Sequence, residues 1–296
     1  MAGKREEQMK EIMERLEQGV QELFTSEKYT EYLKAMSQFH NYSFNNTVLI
    51  ARQRPDATLV ASLGTWNKKF NRRVKRGEKG IKIIAPVPIR QKEETEKFDP
   101  ETNEPVLRPD GEPETEETWH IIPHFRVATV FDISQTYGDP IPELDTPELM
   151  GSVENFPIFM EAIRSVSPVP MRYAEIDGEA KGYYSSAEKE IVIQEGMSEK
   201  QTMKTVVHEA THAMCHDRDI MEELGEKKDR MTKEVEAESV AFTVCSFFGL
   251  DDVSDYSFPY IAGWCSGKDM KELRSSMDFI RKTAGSFIDS MVENIQ

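Results

Sequence analysis

Cysteine is scarce in this 296-residue chain. The three present, Cys215, Cys245 and Cys265, are far apart, odd in number and without a CxxC pair. A disulfide framework is therefore excluded as the organising device, and a reducing, cytoplasmic compartment is expected. Long apolar runs are missing too. No stretch approaches the roughly 18 apolar residues of a membrane-spanning helix, so no membrane partner is expected. The opening "MAGKREEQMKEIMERLEQ" lacks the apolar segment of a secretory signal. No internal repeat is visible.

Charge is abundant and uneven. The net charge is −16, yet residues 52–90 carry eleven Lys/Arg against two acids, Asp56 and Glu78. A basic island in an acidic chain is a candidate anion-binding surface, with nucleic acid the first choice. Residues 91–118 are the opposite: eleven acids, three bases and four prolines. That composition predicts a solvated, flexible insert between two strands.

Periodicity sketches the elements. Residues 5–37 read as helix, with Met9, Ile12, Leu16, Val20 and Leu23 at three- and four-residue spacing. "NNTVLIARQ" reads as a short helix ended by Pro55. "TLVASL", "RRVK", "IKIIAPVPI" and "WHIIPHFRVATVFDI" read as strands, with "RGEKG" a hairpin turn between two of them. "GDPIPELDTPELM" reads as a linker, which divides the chain into domains 1–140 and 141–296. The second contains a helix ("VENFPIFMEAIRSV"), a strand pair ("AKGYYSS", "EIVIQE") and three further helices.

"HEATH", His208 to His212, is an H-E-x-x-H motif. Histidines at i and i+4 project from one helix face and can reach one zinc ion. Met203, Val206, Val207, Ala210, Ala213 and Met214 make an apolar stripe on the other side, so the helix buries its back and turns the histidines toward a cleft. His216 lies about 12 Å along the axis from His208 on a continuous helix and reads as a helix-end side chain, not a ligand. The third ligand is expected from "KEVEAESVAF". Glu234 and Glu238 border its apolar stripe, whereas Glu236 points away and reads as an ordinary surface acid. Glu234 is the choice for the metal, and Glu238 for a hydrogen bond to a ligating histidine; the two roles can be exchanged. Two His and one Glu leave a zinc position open for water, with Glu209 as general base. That chemistry suits peptide hydrolysis. Tyr256 and Tyr260 are candidate oxyanion donors, or core, and "EIVIQ" a candidate edge strand for an extended peptide.

Single-stranded nucleic acid is held by cationic grooves with interleaved aromatics. The candidates are Tyr42, Asn45, Trp66, Arg72, Arg73, Lys75, Arg76, Lys79 and Lys82, with Phe44, Asn46 and Phe70 beside them. Trp66 and Phe70 fit a core equally well.

Taken together, "YSFNNTVLIARQRPDATLVASLGTWNKKFNRRVKRGEKGIKIIAPVP" and "VFDISQT" resemble the N-terminal domain of ArdC-type antirestriction proteins of mobile elements. "HEATH" with "EVEAESVAF" resembles the zincin-like half of that family, related to the ImmA/IrrE metallopeptidases. The resemblance implies an α+β chain: an N-terminal α/β domain that binds single-stranded DNA, then a zincin-like (gluzincin) metallopeptidase domain. It also implies protection of incoming DNA from restriction. The family's E-x-x-A-(E/N/D) pattern falls on Glu234, Ala237 and Glu238, in agreement with the helical-face reading. Two other functions are compatible with the sequence. One is a DNA-binding protective protein whose zinc site is structural or vestigial; the other is a peptidase that cleaves a regulator.

Overall fold

The computed structural model describes residues 2–24, 26–99, 104–109, 111–140, 156–250, 261–266 and 268–295. Among them, no helix is long and apolar enough to cross a membrane. The expected linker lies largely outside the described residues, as do Tyr256 and Tyr260.

Where one helix was expected over 5–37, there are two: α1 (Ala2–Leu23) and α2 (Ser26–Gln38). The sequence explains the break. The buried stripe Leu16, Val20, Leu23 is followed at the next helical positions by Ser26, Glu27, Thr30 and Glu31. The buried set of α2 starts a new register at Tyr29, Leu33 and Met36. Helix α3 (Phe44–Gln53) is capped by the Ser43 side chain, which accepts from the Asn46 N–H, and it ends at Arg54 ahead of Pro55.

The first sheet is antiparallel, with β6 (Phe125–Asp132) between β1 (Val60–Ser62) and β3 (Ile81–Pro86). Helix α4 (Leu63–Lys68) follows β1. The stretch around "RGEKG" is not a hairpin. Strand β2 (Arg72–Val74) pairs with β7 (Thr136–Gly138), not with β3. A 3-10 turn, Ile133–Gln135, brings β7 alongside β2, and Asp132 and Gln135 close a reciprocal capping box there. Gln135 Nε2 then donates to Lys79 O and to Glu78, pinning the connection. Gly77, at φ +89°, makes the turn that this crossing needs.

The acidic insert is also corrected. Within residues 91–118 the described parts are ordered as a projecting hairpin, formed by β4 (Ile89–Glu96) and β5 (Thr115–Ile122). Backbone bridges continue beyond it at Phe98–Pro105 and Leu107–Pro113. Charged side chains on both faces concealed the strands, because a ribbon solvated on both sides shows no apolar alternation.

The second half contains α5 (Phe156–Val166) and a three-stranded sheet of β8 (Met171–Ala174), β10 (Glu190–Gln194) and β9 (Gly182–Ser185), in that order. Strand β10 is central: parallel to β8 and antiparallel to β9. The expectation of "EIVIQ" as a free edge is therefore wrong, because β8 takes that side. Helices α6 (Glu199–Cys215), α7 (Arg218–Glu223), α8 (Arg230–Phe247), α9 (Ile261–Cys265) and α10 (Met270–Ile295) follow.

One apolar core crosses the 140/141 division. It joins Leu16, Leu33 and Leu49 of the first three helices to Val206, Val240 and Ile280. A buried hydrogen bond, Tyr29 Oη to Ser239 Oγ at 2.8 Å, ties α2 to α8. A smaller cluster, including Phe39, Ile50, Ile81, Ile83 and Val130, lies under the first sheet.

Candidate metal centre and basic surface

Helix α6 begins at Ser198, whose side chain accepts from the Gln201 N–H, and ends at His216. Met203, Val206, Val207, Ala210 and Ala213 are buried as the stripe requires, which leaves His208 and His212 on the facing side, largely but not fully covered. Helix α8 crosses that side and delivers Glu234. Donor atoms of His208, His212 and Glu234 lie within 4.8 Å of one another. Glu234 Oε2 is 3.5 Å from His208 Nε2 and 3.8 Å from His212 Nε2, and the two Nε2 atoms are 3.1 Å apart.

Both histidines are held from behind by their Nδ1 atoms. His208 Nδ1 is 3.3 Å from Glu238, whose other oxygen takes Lys204 Nζ at 2.8 Å. His212 Nδ1 is 3.1 Å from His216 Nδ1, and His216 Nε2 is 2.9 Å from Glu236. A carboxylate only accepts, so His216 Nε2 donates to Glu236. Burial lowers the pKa of His216 and favours its neutral form. Its Nδ1 is then an acceptor for the His212 Nδ1–H, which leaves His212 Nε2 as the free lone pair. Glu238 fixes His208 in the same sense, so both Nε2 atoms point at the shared space with Glu234.

Sequence reasoning missed the Glu236 branch and assigned that residue to the surface. Glu236 is in fact fully buried. Helix α8 is covered nearly all round (Val235, Ala237, Ser239, Val240, Phe242 and Thr243 are buried), so no side of it is outward at that level. Glu236 is compensated by His216 and by Lys228 Nζ at 3.0 Å, and Lys228 in turn sits 3.7 Å over the Phe279 ring. The available signal was His216 itself, a third histidine at i+4 with no metal to bind. Glu236→Ala removes the acceptor from the buried His216 and the half-buried Lys228 and is expected to cost about 3 kcal/mol or more, read as a lowered urea midpoint. A loss below about 1 kcal/mol counts against this role.

The donor set favours a cation. Burial works against a charged His208, but Glu234 and Glu238 outweigh it and push its pKa up to about 9. The histidines hold the Glu234 carboxyl well below its usual range. The proton on His208 in the metal-free protein sits where these donors converge, and a metal must displace it. The sign gives a pH window. A raised histidine pKa contributes stability fully below about 6.5 that is lost as pH rises through about 9. The metal-free protein should therefore lose stability across that window. With excess zinc the loss should shrink, because the ion replaces the proton. Denaturation at several pH values measures both, and a flat metal-free profile counts against the cluster geometry.

Glu209 lies beside the donor set without joining it. It is 8% exposed, burial raises its pKa, and it accepts a backbone N–H from Tyr184 of β9. Strand β9 is held against α6 by Gly182, where a Cβ would come within 2.7 Å of Thr205 Cγ2. Asp217 anchors it further, accepting Tyr184 Oη at 2.7 Å, Ser186 Oγ at 2.6 Å and Lys189 Nζ at 2.8 Å.

Residues 3–131 match the family model for the N-terminal domain of anti-restriction factor ArdC. The N-terminal region is an ArdC-type domain. The match starts within α1, ahead of the start near residue 30 that the resemblance suggested. Crystal structures of the antirestriction ArdC protein from plasmid R388 share the fold. The Mn(II)-bound form has a TM-score of 0.52 at 18% identity, covering 95% of this chain and 97% of that one. The metal-free form has 0.51 at 19%, covering 85% and 84%. The uncharacterized protein pXO2-81 of Bacillus anthracis is 29% identical over 325 positions, covering 98% of this chain and 52% of the relative. The chain thus spans about half the length of that curated relative.

Within the ArdC-type domain, the DNA-binding candidates separate. Trp66 is fully buried and its Nε1 donates to Phe131 O at 2.8 Å, so it is core rather than a stacking platform. Tyr42 is half-buried, with its hydroxyl bonded to Val60 O. Arg72 spends its guanidinium on Thr136, Gly138 and Asp139. Asn46 clamps the backbone of Ile84, and Asn45 is half-buried. Lys75 bonds Ser134 O and Lys82 bonds Thr129 Oγ1, although both are exposed. Arg73, Arg76 and Lys79 are exposed and, among the described residues, show no side-chain hydrogen bond or ion pair.

Proposed function

We propose that this chain is an antirestriction-type protein of a mobile element. It binds single-stranded DNA through its ArdC-type domain and carries a zinc-dependent peptidase site in a zincin-like second half. The observation that carries the enzymatic reading is Glu209: a buried carboxylate beside His208 and His212, apart from the donor triad and raised in pKa by burial. A structural metal site has no use for such a group.

His208, His212 and Glu234 would hold the ion. Two imidazoles and a carboxylate suit zinc with an open position, and the same donors accept Mn(II), the metal named in the R388 protein's structure. A bound zinc supplies Lewis acidity toward a carbonyl oxygen and acidifies water. Glu209 takes a proton on its carboxylate and, once protonated, gives it to the leaving nitrogen. Tyr184 N–H holds that carboxylate in place, and Glu238 and Glu236 keep the imidazoles in the ligating tautomer.

The DNA half is tested by titrating a labelled single-stranded oligonucleotide at several salt concentrations. Affinity should fall with salt at a log–log slope of about −0.7 per phosphate contact. Absence of binding at low salt sinks this half. For the catalytic half, the zinc-loaded protein is expected to cleave members of a peptide mixture, with cleavage abolished by chelation.

A further inference from the structure

The projecting hairpin is an extension of the sheet, not a separate appendage. Strands β3 and β6 pair in one register, Ile81 with Val130 to Pro86 with Phe125; β4 and β5 continue it from Ile89 with Ile122 to Glu96 with Thr115. The Val87 N–H donates to His124 O at 2.6 Å across the join. A single antiparallel ribbon therefore runs from Ile81 to Glu96 without a register shift. Its inner half contains no acid on either strand: none from Lys79 to Lys92 and none from Thr118 to Phe131. Beyond the Lys92–Trp119 rung the acids begin, with Glu93 on the next rung and Glu117, opposite Glu94, on the one after.

Cross-strand partners share a face. Arg90 pairs with Ile121 and Lys92 with Trp119, and Phe125 lies on the same face by alternation. These side chains are exposed: Trp119 62%, Ile121 67% and Phe125 50%. Lys92 Nζ lies 5.3 Å from the Trp119 ring centre and is ion-paired with Glu117 at the outer end of this face, which among the described residues leaves Arg90 as the free cation of the rungs. At about 3.4 Å per residue, Trp119 and Phe125 are about 20 Å apart. Toward the body of the protein, this face enters an open cleft of about 400 Å³ lined by Arg15, Gln53, Lys79, Lys82, Val127 and Glu11, among others.

We propose that this acid-free face of the ribbon, with Trp119 as its stacking platform, is the track for single-stranded DNA. The proposal rests on the DNA-binding reading above and moves its aromatic element from Trp66 to the arm. Exposed rings interleaved with cations are the surface that a single strand requires: bases stack and phosphates pair. The absence of acids in a chain of net charge −16 gives the charge complementarity. The acidic outer half bounds the track at Lys92 and Trp119, so the strand runs inward to the cleft.

Trp119 provides the test, since Trp66 and Trp264 are buried. The full chain is titrated with an oligothymidylate of about 20 nucleotides while tryptophan emission and the anisotropy of a labelled copy are followed. Emission should be quenched with the same saturation as the anisotropy. Trp119→Ala should weaken binding about tenfold and Arg90→Glu severalfold, and Trp119→Phe should retain most of the affinity while losing the quenching. Saturating anisotropy with unchanged emission and full-strength binding by Trp119→Ala overturns the track but leaves the DNA-binding reading intact. No anisotropy change at any salt overturns both. An emission change that follows protein concentration without DNA assigns the face to a second copy and overturns the track.

Discussion

Glu234→Ala is expected to abolish stoichiometric zinc binding, whereas Glu238→Ala should weaken it only about 10–100-fold. The difference follows from position on one helix. Glu234 Oε2 faces both Nε2 atoms, at 3.5 and 3.8 Å, and without it two imidazoles remain. Glu238 reaches His208 only from the Nδ1 side and is shared with Lys204. Its loss frees the ring to rotate but leaves every donor present. Zinc content after dialysis, with competition against a chromogenic chelator, separates the two variants. Equal losses would mean that the two glutamates exchange roles, and a larger loss for Glu238→Ala would invert the assignment.

The parts of the site that could be read from the sequence are those fixed by position on a single helix. His208 and His212 are one turn apart, and Glu234 and Glu238 flank a stripe whose members Ala237, Ala241, Val244, Cys245 and Phe248 are all buried. Glu236 escaped because a stripe assumes a helix with one dry and one wet side, and α8 is dry nearly all round. The basic island was legible as charge, but its side chains' commitments were not. Arg72 and Trp66 are bound to backbone oxygens of Gly138 and Phe131, more than sixty residues away. Strand partners hid for the same reason: nothing local in "RRVKRGEKG" shows that β2 pairs with β7. The ordered arm was concealed by composition, since its pairing is inherited from the β3–β6 register below it. The fold was thus legible wherever short-range periodicity decides it, and not where non-local pairing does.

Glu209→Gln has the largest expected effect on peptide cleavage, a loss of about 100-fold to 10,000-fold, with zinc content unchanged. The substitution keeps the side chain's size, and the glutamine carbonyl can still accept the Tyr184 N–H, so packing against β9 is retained. It removes only the capacity to take up a proton. Burial prepares Glu209 for that task by raising its pKa, while the neighbouring His208 and His212 pull the other way. Because Glu209 is not a donor in the triad, the variant separates chemistry from metal binding, which no ligand substitution can do. Cleavage that persists at the wild-type rate with zinc bound would remove Glu209 as the base. The same variant decides between the functions that the sequence left open. Protection of incoming DNA that survives Glu209→Gln but fails in the DNA-binding variants Trp119→Ala and Arg90→Glu would make the metal centre dispensable for antirestriction. Protection lost in both would place proteolysis and DNA capture in one activity.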